Sequence, residues 1–312
     1  MPSASAYRAG SLLARRFPAS FGTALSRLVG TGAAASPERR ATVARNLERV
    51  YGRTLSPIEQ RRKVAETFEW YARYYHESFR LPDYSAEKID REFAYEGFGQ
   101  IEAACTSGQG PILALPHLGT WEWAAFWLAL IPEYKVTAIV EPLEPPELFE
   151  WFVGFRESLG MNIVPLGPEA GKASVGALNR GEVLCLLADR DIQGGGIPVD
   201  FFGERTTLPA GPATLALRTG SPLLPTAVYW RDGIRFGHVL PAVDTERRGK
   251  LREDIARVTQ DLAHAFEILI SAAPEQWHLL QPNWPSDYVA RGEAVPEHLR
   301  ELLDAPDDGE QA

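Results

Sequence analysis

Four short apolar runs, residues 111–115, 135–140, 162–165 and 183–188, punctuate the middle of the chain, with helical periodicity between them at 146–159 and 170–180. Short buried strands that alternate with helices fit a mostly parallel sheet covered by helices on its faces. The flanks extend this pattern. Ser36-Pro37 opens a helix carrying Val43, Leu47 and Val50 as far as Gly52, and Ser56-Pro57 opens a second, to about Phe79, with Val64, Phe68, Tyr71, Tyr75 and Phe79 on one stripe. A strand at 93–96 and a helix at 98–107 lead into the alternation. Beyond 188 come a Gly-rich loop, a helix at 210–219, strands near 223–230 and 234–240, and an amphipathic helix at 250–272 with Ile255, Val258, Leu262, Phe266, Leu269 and Ile270 on one face. The expected fold is α/β: a central, mostly parallel β-sheet flanked by helices, with a helical N-terminal cap. The expected organisation is an amphipathic, membrane-associating leader over 1–35, a single domain over 36–292 and a mobile acidic tail over 293–312.

Composition narrows the function. The 312 residues are 45% hydrophobic, ample for a large core. Cys105 and Cys185 sit in apolar settings without a second Cys or His at ligand spacing, so neither a disulfide framework nor a metal is expected. No run approaches the roughly 20 apolar residues of a spanning helix, and the start lacks the apolar core of a secretory signal. The net charge of -9 is unevenly spread. Residues 1–80 hold 14 Arg/Lys against six Asp/Glu, a local +8 that leaves -17 for the rest. Such a basic end suits an anionic lipid surface, or is simply a solvated helical face. No nucleic-acid module accompanies it, so nucleic acid is not an expected partner.

The chemistry concentrates where the first apolar run ends, at His117-Leu118-Gly119-Thr120-Trp121-Glu122. On one unbroken helix His117 and Glu122 would point roughly 140° apart, because each residue turns about 100°. If His117 instead lies in a turn and the helix starts near Gly119 or Thr120, the chain can fold back so that Glu122 meets the imidazole, fixes its tautomer and leaves the other nitrogen free for a proton. Glu122 also suits the first turn of a helix by its charge. A strand end before a helix is where an α/β sheet opens its crevice. A second cluster, Asp189, Arg190 and Asp191, follows the apolar run 183–188 and precedes Gly194-Gly195-Gly196, whose spacing matches no phosphate loop. Phe201-Phe202 reads equally as a core plug or as an apolar wall for a lipid, and Arg156 as an exposed helix residue or an anion ligand. Trp123 and Trp127 fall on one helical face as core. The absence of a G-x-S-x-G elbow, or of a base beside either cysteine, favours direct transfer over a covalent acyl-enzyme.

These blocks resemble a known family. His117 to Glu122 looks like the HX4D/E signature of glycerolipid acyltransferases, in the form found in bacterial lipid A late acyltransferases and phosphatidylinositol mannoside acyltransferases. The likeness continues through residues 39–47, 155–160, 188–191, 199–203, 208–213 and 276–284. The resemblance implies an enzyme that moves a long acyl chain, palmitoyl in the mannoside branch, from acyl-CoA or an acyl-carrier protein to a glycolipid hydroxyl. It implies a peripheral protein at the cytoplasmic membrane face with no cofactor beyond acyl-CoA as co-substrate. Carried over, His117 is the general base and Glu122 its orienting partner. Arg156 and Arg190 would hold phosphates or the developing oxyanion, Asp189 would be the acidic residue near the acceptor sugar, and Asp191 would be a further substrate-binding residue of the same block. Thr120 stands where the family commonly has Asn, and Asp189 where the mannoside branch often has Glu. The lack of a spanning N-terminal helix favours that branch.

Overall fold

A computed structural model describes residues 36–303. The leader expected over 1–35 and the last nine residues of the acidic tail lie outside them. The two cap helices begin and end where their local chemistry dictates. In α1 (Pro37–Tyr51) the Ser36 hydroxyl accepts from the N–H of Arg39 and Gly52 closes the helix at φ 62°. In α2 (Pro57–Arg80) Ser56 accepts from the N–H of Glu59. The helices pack through Val43, Leu47, Val64 and Phe68, with Leu280 from the far end of the chain.

A short helix α3 (Ala86–Arg91), capped by Ser85, then leads to β1 (Phe93–Glu96) and α4 (Gly99–Thr106). The alternation follows as β2 (Ile112–Leu115), α5 (Trp121–Leu130), β3 (Val136–Val140), α6 (Pro146–Glu157), β4 (Met161–Pro165), α7 (Ala170–Asn179) and β5 (Val183–Leu187). The chain continues through the hairpin β6 (Ile197–Phe201) and β7 (Glu204–Leu208), α8 (Gly211–Thr219), β8 (Leu223–Arg231), β9 (Ile234–Val239) and α9 (Leu251–Ser271), to the short α10 (Pro285–Arg291) and α11 (Glu297–Arg300). Leu299 of α11 is buried. No helix of the described residues is long and apolar enough to cross a membrane.

Seven strands form the central sheet in the order β1-β9-β8-β2-β5-β3-β4. Its pairings are parallel except β8 with β9, which are joined through Asp232 and Gly233, both left-handed. All four residues of β2 are buried, and they alternate between the two faces of the sheet, as strand geometry requires. Ile112 and Ala114 enter the core formed with Val258, Leu262 and Phe266 of α9, whereas Leu113 and Leu115 enter the one built around Trp123, Trp127 and Leu159. The chain runs from β2 out to β3 and β4, returns to β5 beside β2, and only later fills the other side with β8. That reversal places a crevice beyond the C-terminal ends of β2 and β5.

The expected Gly-rich loop is in part a hairpin. Its turn puts Phe202 at φ 52° and Gly203 at φ 72°. A left-handed phenylalanine is sterically uncommon, so the sequence carries no clear turn signal there. The hairpin is held from outside: Gln260 of α9 accepts from the N–H of Asp200 at 2.8 Å, and Glu267 accepts from that of Phe202.

Candidate active site

His117 stands in the turn between β2 and α5, as the geometric argument requires, but its carboxylate partner is Asp189. Parallel pairing sets Leu115 level with Leu187. Two residues further along each chain, His117 and Asp189 are level too. The His117 Nδ1 lies 2.5 Å from Asp189 Oδ1, and the His117 backbone N–H donates to Asp189 Oδ2 at 3.0 Å. Trp277 donates its indole N–H to the same Oδ2 at 2.8 Å, and the Asn283 amide donates to the Asp189 carbonyl. Burial raises the pKa of the fully enclosed Asp189 carboxyl, but the His117 imidazole and these donors more than compensate and hold it below the ordinary carboxylate range. Asp189 is thus an ionised carboxylate that fixes the orientation of the imidazole. With Nδ1 turned to the carboxylate, Nε2 of this partly exposed ring is the nitrogen left for substrate.

The turn is rigid for identifiable reasons. Gly119 has φ 60°, and a Cβ there would sit 2.1 Å from the Val228 carbonyl oxygen. The N–H groups of 117–120 are all spent: on Asp189, on the Pro116 carbonyl, on Gln276 and on Val228. The strand-like segment 276–278 clamps the turn, with Gly119 N–H donating to Gln276 O and His278 N–H to His117 O. Because these amides are committed, none of the four is free to bind an anion in the crevice.

Glu122 is engaged elsewhere. It lies in the first turn of α5 with 1% exposure, and its Oε1 accepts from the Tyr74 hydroxyl at 2.7 Å and from Arg156 at 2.9 Å. Its Oε2 is buried without a hydrogen-bond partner among the described residues. The contact from Glu122 to the imidazole, expected from the sequence, is therefore not made. Helix α5 starts at Trp121 with Glu122 turned toward α2 and α6, and the sheet register has already supplied His117 with Asp189. Arg156 is not an exposed helix residue but lies in the cavity wall: its guanidinium pairs with Glu122 and sits over Trp121, 5.0 Å from the ring centroid. Burial works against that charge, and Glu122 overcomes it.

Arg190 ion-pairs with Glu141 at the end of β3, at 2.7 Å. Asp191 accepts from the N–H groups of Gln193, Gly194 and Gly196 and from the Thr207 hydroxyl. Its carboxylate organises the glycine loop. Phe201 is wholly buried and stacks on Trp284, which makes it a core plug. His278, unremarkable by spacing, packs against the rings of Tyr71 and Tyr74 beside His117. Burial and the neighbouring His117 push it down to about 3, so it is neutral in any physiological range. The signal for Asp189 was visible in the sequence as a charge placed directly after a wholly apolar strand. Trp277 and His278 fall in the family-like block 276–284, but nothing in the sequence placed that distant loop beside His117.

His117 opens into a cavity of about 1020 Å³ beyond the ends of β2, β3 and β5. Ile139, Val140, Leu143, Phe152, Leu166 and Val175 give it an apolar interior, while Lys172, Arg190 and Arg218 supply cations. Lys172 and Arg218 are exposed. No group of His, Cys, Asp and Glu among the described residues forms a metal site.

Comparison with known proteins identifies the family. The family model for bacterial lipid A biosynthesis acyltransferases matches residues 3–286. A protein of Mycobacterium tuberculosis (strain ATCC 25618 / H37Rv) named phosphatidylinositol mannoside acyltransferase is 38% identical over 293 residues, covering 90% of this chain and 88% of the relative. One of the same name from Mycolicibacterium smegmatis is 36% identical over 288 residues, 90% of this chain and 91% of the relative.

Proposed function

The chain belongs to the bacterial lipid A biosynthesis acyltransferase family and is an acyltransferase, and from that premise we propose that it moves a long acyl chain, palmitoyl by preference, from acyl-CoA to a mannose hydroxyl of a phosphatidylinositol mannoside. The observation that carries the reading is the His117–Asp189 pair at the entrance of an apolar cavity. The cavity's apolar interior suits the acyl chain. Arg190, Lys172 and Arg218 suit the phosphates of its carrier, since cations pair with phosphate by charge and hydrogen bonding. The mannolipid acceptor follows the names of the relatives.

In this scheme His117 Nε2 takes the proton of the acceptor hydroxyl as its oxygen attacks the thioester carbonyl. A tetrahedral oxyanion forms. Its collapse breaks the C–S bond, and the imidazolium returns the proton to the departing thiolate. Asp189 holds Nδ1 and stabilises the imidazolium while it exists. Tyr74 and Arg156 line the cavity and are held in place by Glu122 behind them. Exposed basic residues of the first 80 positions, Arg39, Arg40, Arg61 and Arg62 among them, hold the enzyme on anionic lipid at the cytoplasmic membrane face as a peripheral protein, whereas Arg45, Arg49 and Lys63 are spent on ion pairs within the fold.

Labelled palmitoyl-CoA and purified mannolipid, supplied to the full chain, test the proposal. The expected result is label transferred to the acceptor, CoA release that depends on the acceptor, and loss of both in His117→Ala. Transfer that persists in His117→Ala overturns the base assignment, and CoA release at full rate without acceptor overturns the transferase reading in favour of hydrolysis.

A further inference from the structure

The carboxylate behind His117 is itself held, and the group that holds it comes from the loop that clamps the turn. We infer that Trp277 is a positioning residue for the transfer: its indole N–H fixes Asp189 so that Oδ1 is presented to His117 Nδ1. The inference rests on the reading of His117 as the base.

Three observations carry it. Asp189 Oδ2 accepts from two donors, the His117 N–H and the Trp277 indole, while Oδ1 faces the imidazole. Removing the indole N–H leaves Oδ2 with one donor and lets the carboxylate turn about its Cβ–Cγ bond. The indole cannot swing away, because Trp277 is 4% exposed and wedged among Phe201, Phe202 and Trp284, whose ring centroids lie 5.8 to 6.3 Å from its own. The segment that carries it is registered on the turn by the bonds from Gly119 N–H to Gln276 O and from His278 N–H to His117 O. One loop therefore sets both the backbone of the base and the orientation of its carboxylate. A hydrogen bond to a charged group in a dry site is among the stronger polar contacts a protein makes.

The test uses the full chain with palmitoyl-CoA and mannolipid. Trp277→Phe removes the donor but also trims the ring. Replacing Trp277 with 3-benzothienylalanine puts sulfur where the N–H was and keeps the bicyclic shape. The benzothienyl protein is expected to stay folded with a lowered Tm, since a buried carboxylate loses a donor, and to lose about tenfold or more in kcat per folded molecule, with KM for both substrates within about twofold. The far-downfield proton resonance of the bond between His117 Nδ1 and Asp189 should move or vanish. A purely packing role predicts the opposite pattern, with kcat and the resonance kept by the benzothienyl protein and lost only with the ring. That pattern, or an unmoved resonance with kcat unchanged, overturns the inference. Transfer that survives His117→Ala instead overturns the base assignment, whatever position 277 shows.

Discussion

Asp189 lies 72 residues beyond His117 in the chain and 2.5 Å from its ring, because β2 and β5 pair in parallel with Leu115 level with Leu187. Two adjacent strand ends thus deliver imidazole and carboxylate to the same depth of the crevice. The acid five positions after the histidine does a different job, bracing α2, α5 and α6 against one another through Tyr74 and Arg156.

That division of labour predicts a stability effect for Glu122→Gln. Without the carboxylate, the Arg156 guanidinium is a buried charge lacking its counter-ion. Removing one partner of such a pair costs about 3 kcal/mol or more, whereas replacing both by apolar groups of similar size is close to neutral. Thermal unfolding should show a clear drop in Tm for Glu122→Gln and substantial recovery in the double variant Glu122→Met, Arg156→Met. An unchanged Tm in the single variant would mean that the ion pair does not brace the fold.

Gly119 is predicted to be irreplaceable by alanine. Its φ is 60°, and the added Cβ would collide with the Val228 carbonyl oxygen and the Tyr229 Cα. Both are backbone atoms of β8 in the middle of the sheet, so the turn has to give way, at a cost of roughly 1–3 kcal/mol in strain and overpacking. His117 would be displaced with it. Gly119→Ala should therefore lose transfer even where circular dichroism still reports a folded protein. Activity equal to that of the unsubstituted chain would show that the turn is not the element that aims the base.

The thiols should be dispensable. Burial pushes Cys185 up to about 12 and also raises the half-buried Cys105. Nucleophilic sulfur is thiolate, so at neutral pH neither is poised to carry an acyl group. The double variant Cys105→Ala, Cys185→Ala is expected to keep its transfer rate, and a thiol reagent should leave Cys185 of the native protein unlabelled. A collapse of activity in a folded double variant would reopen a covalent route.

Much of this was legible in the sequence. The Ser-Pro starts of α1 and α2, the short apolar runs of the sheet and the long amphipathic α9 all follow from capping and periodicity, which are local. The placement of His117 in a turn was legible from the end of the apolar run 111–115 and the glycine that follows, but the meeting with Glu122 that the rotation argument anticipated is not made. What escaped was non-local. Which acid meets the imidazole depends on strand register, and His117 could be matched with Asp189 only by knowing that β2 neighbours β5. The β6–β7 hairpin escaped because its turn uses a left-handed Phe202. Trp277 and Asn283 reach Asp189 from a loop whose position is fixed by its bonds to the turn at 117–119, which no spacing rule records.

The most direct test of the account is the kcat of Asp189→Asn, measured beside Glu122→Gln in labelled acyl transfer at saturating substrates. An asparagine facing His117 can present its NH₂ to Nδ1, which moves the ring proton to Nε2 and removes the site that accepts the substrate's proton. The account predicts a fall in kcat on the order of 10²-fold or more for Asp189→Asn, with Tm retained, and a smaller loss per folded molecule for Glu122→Gln. A folded Asp189→Asn protein that transfers acyl groups at the unsubstituted rate, while Glu122→Gln is inactive, would contradict it.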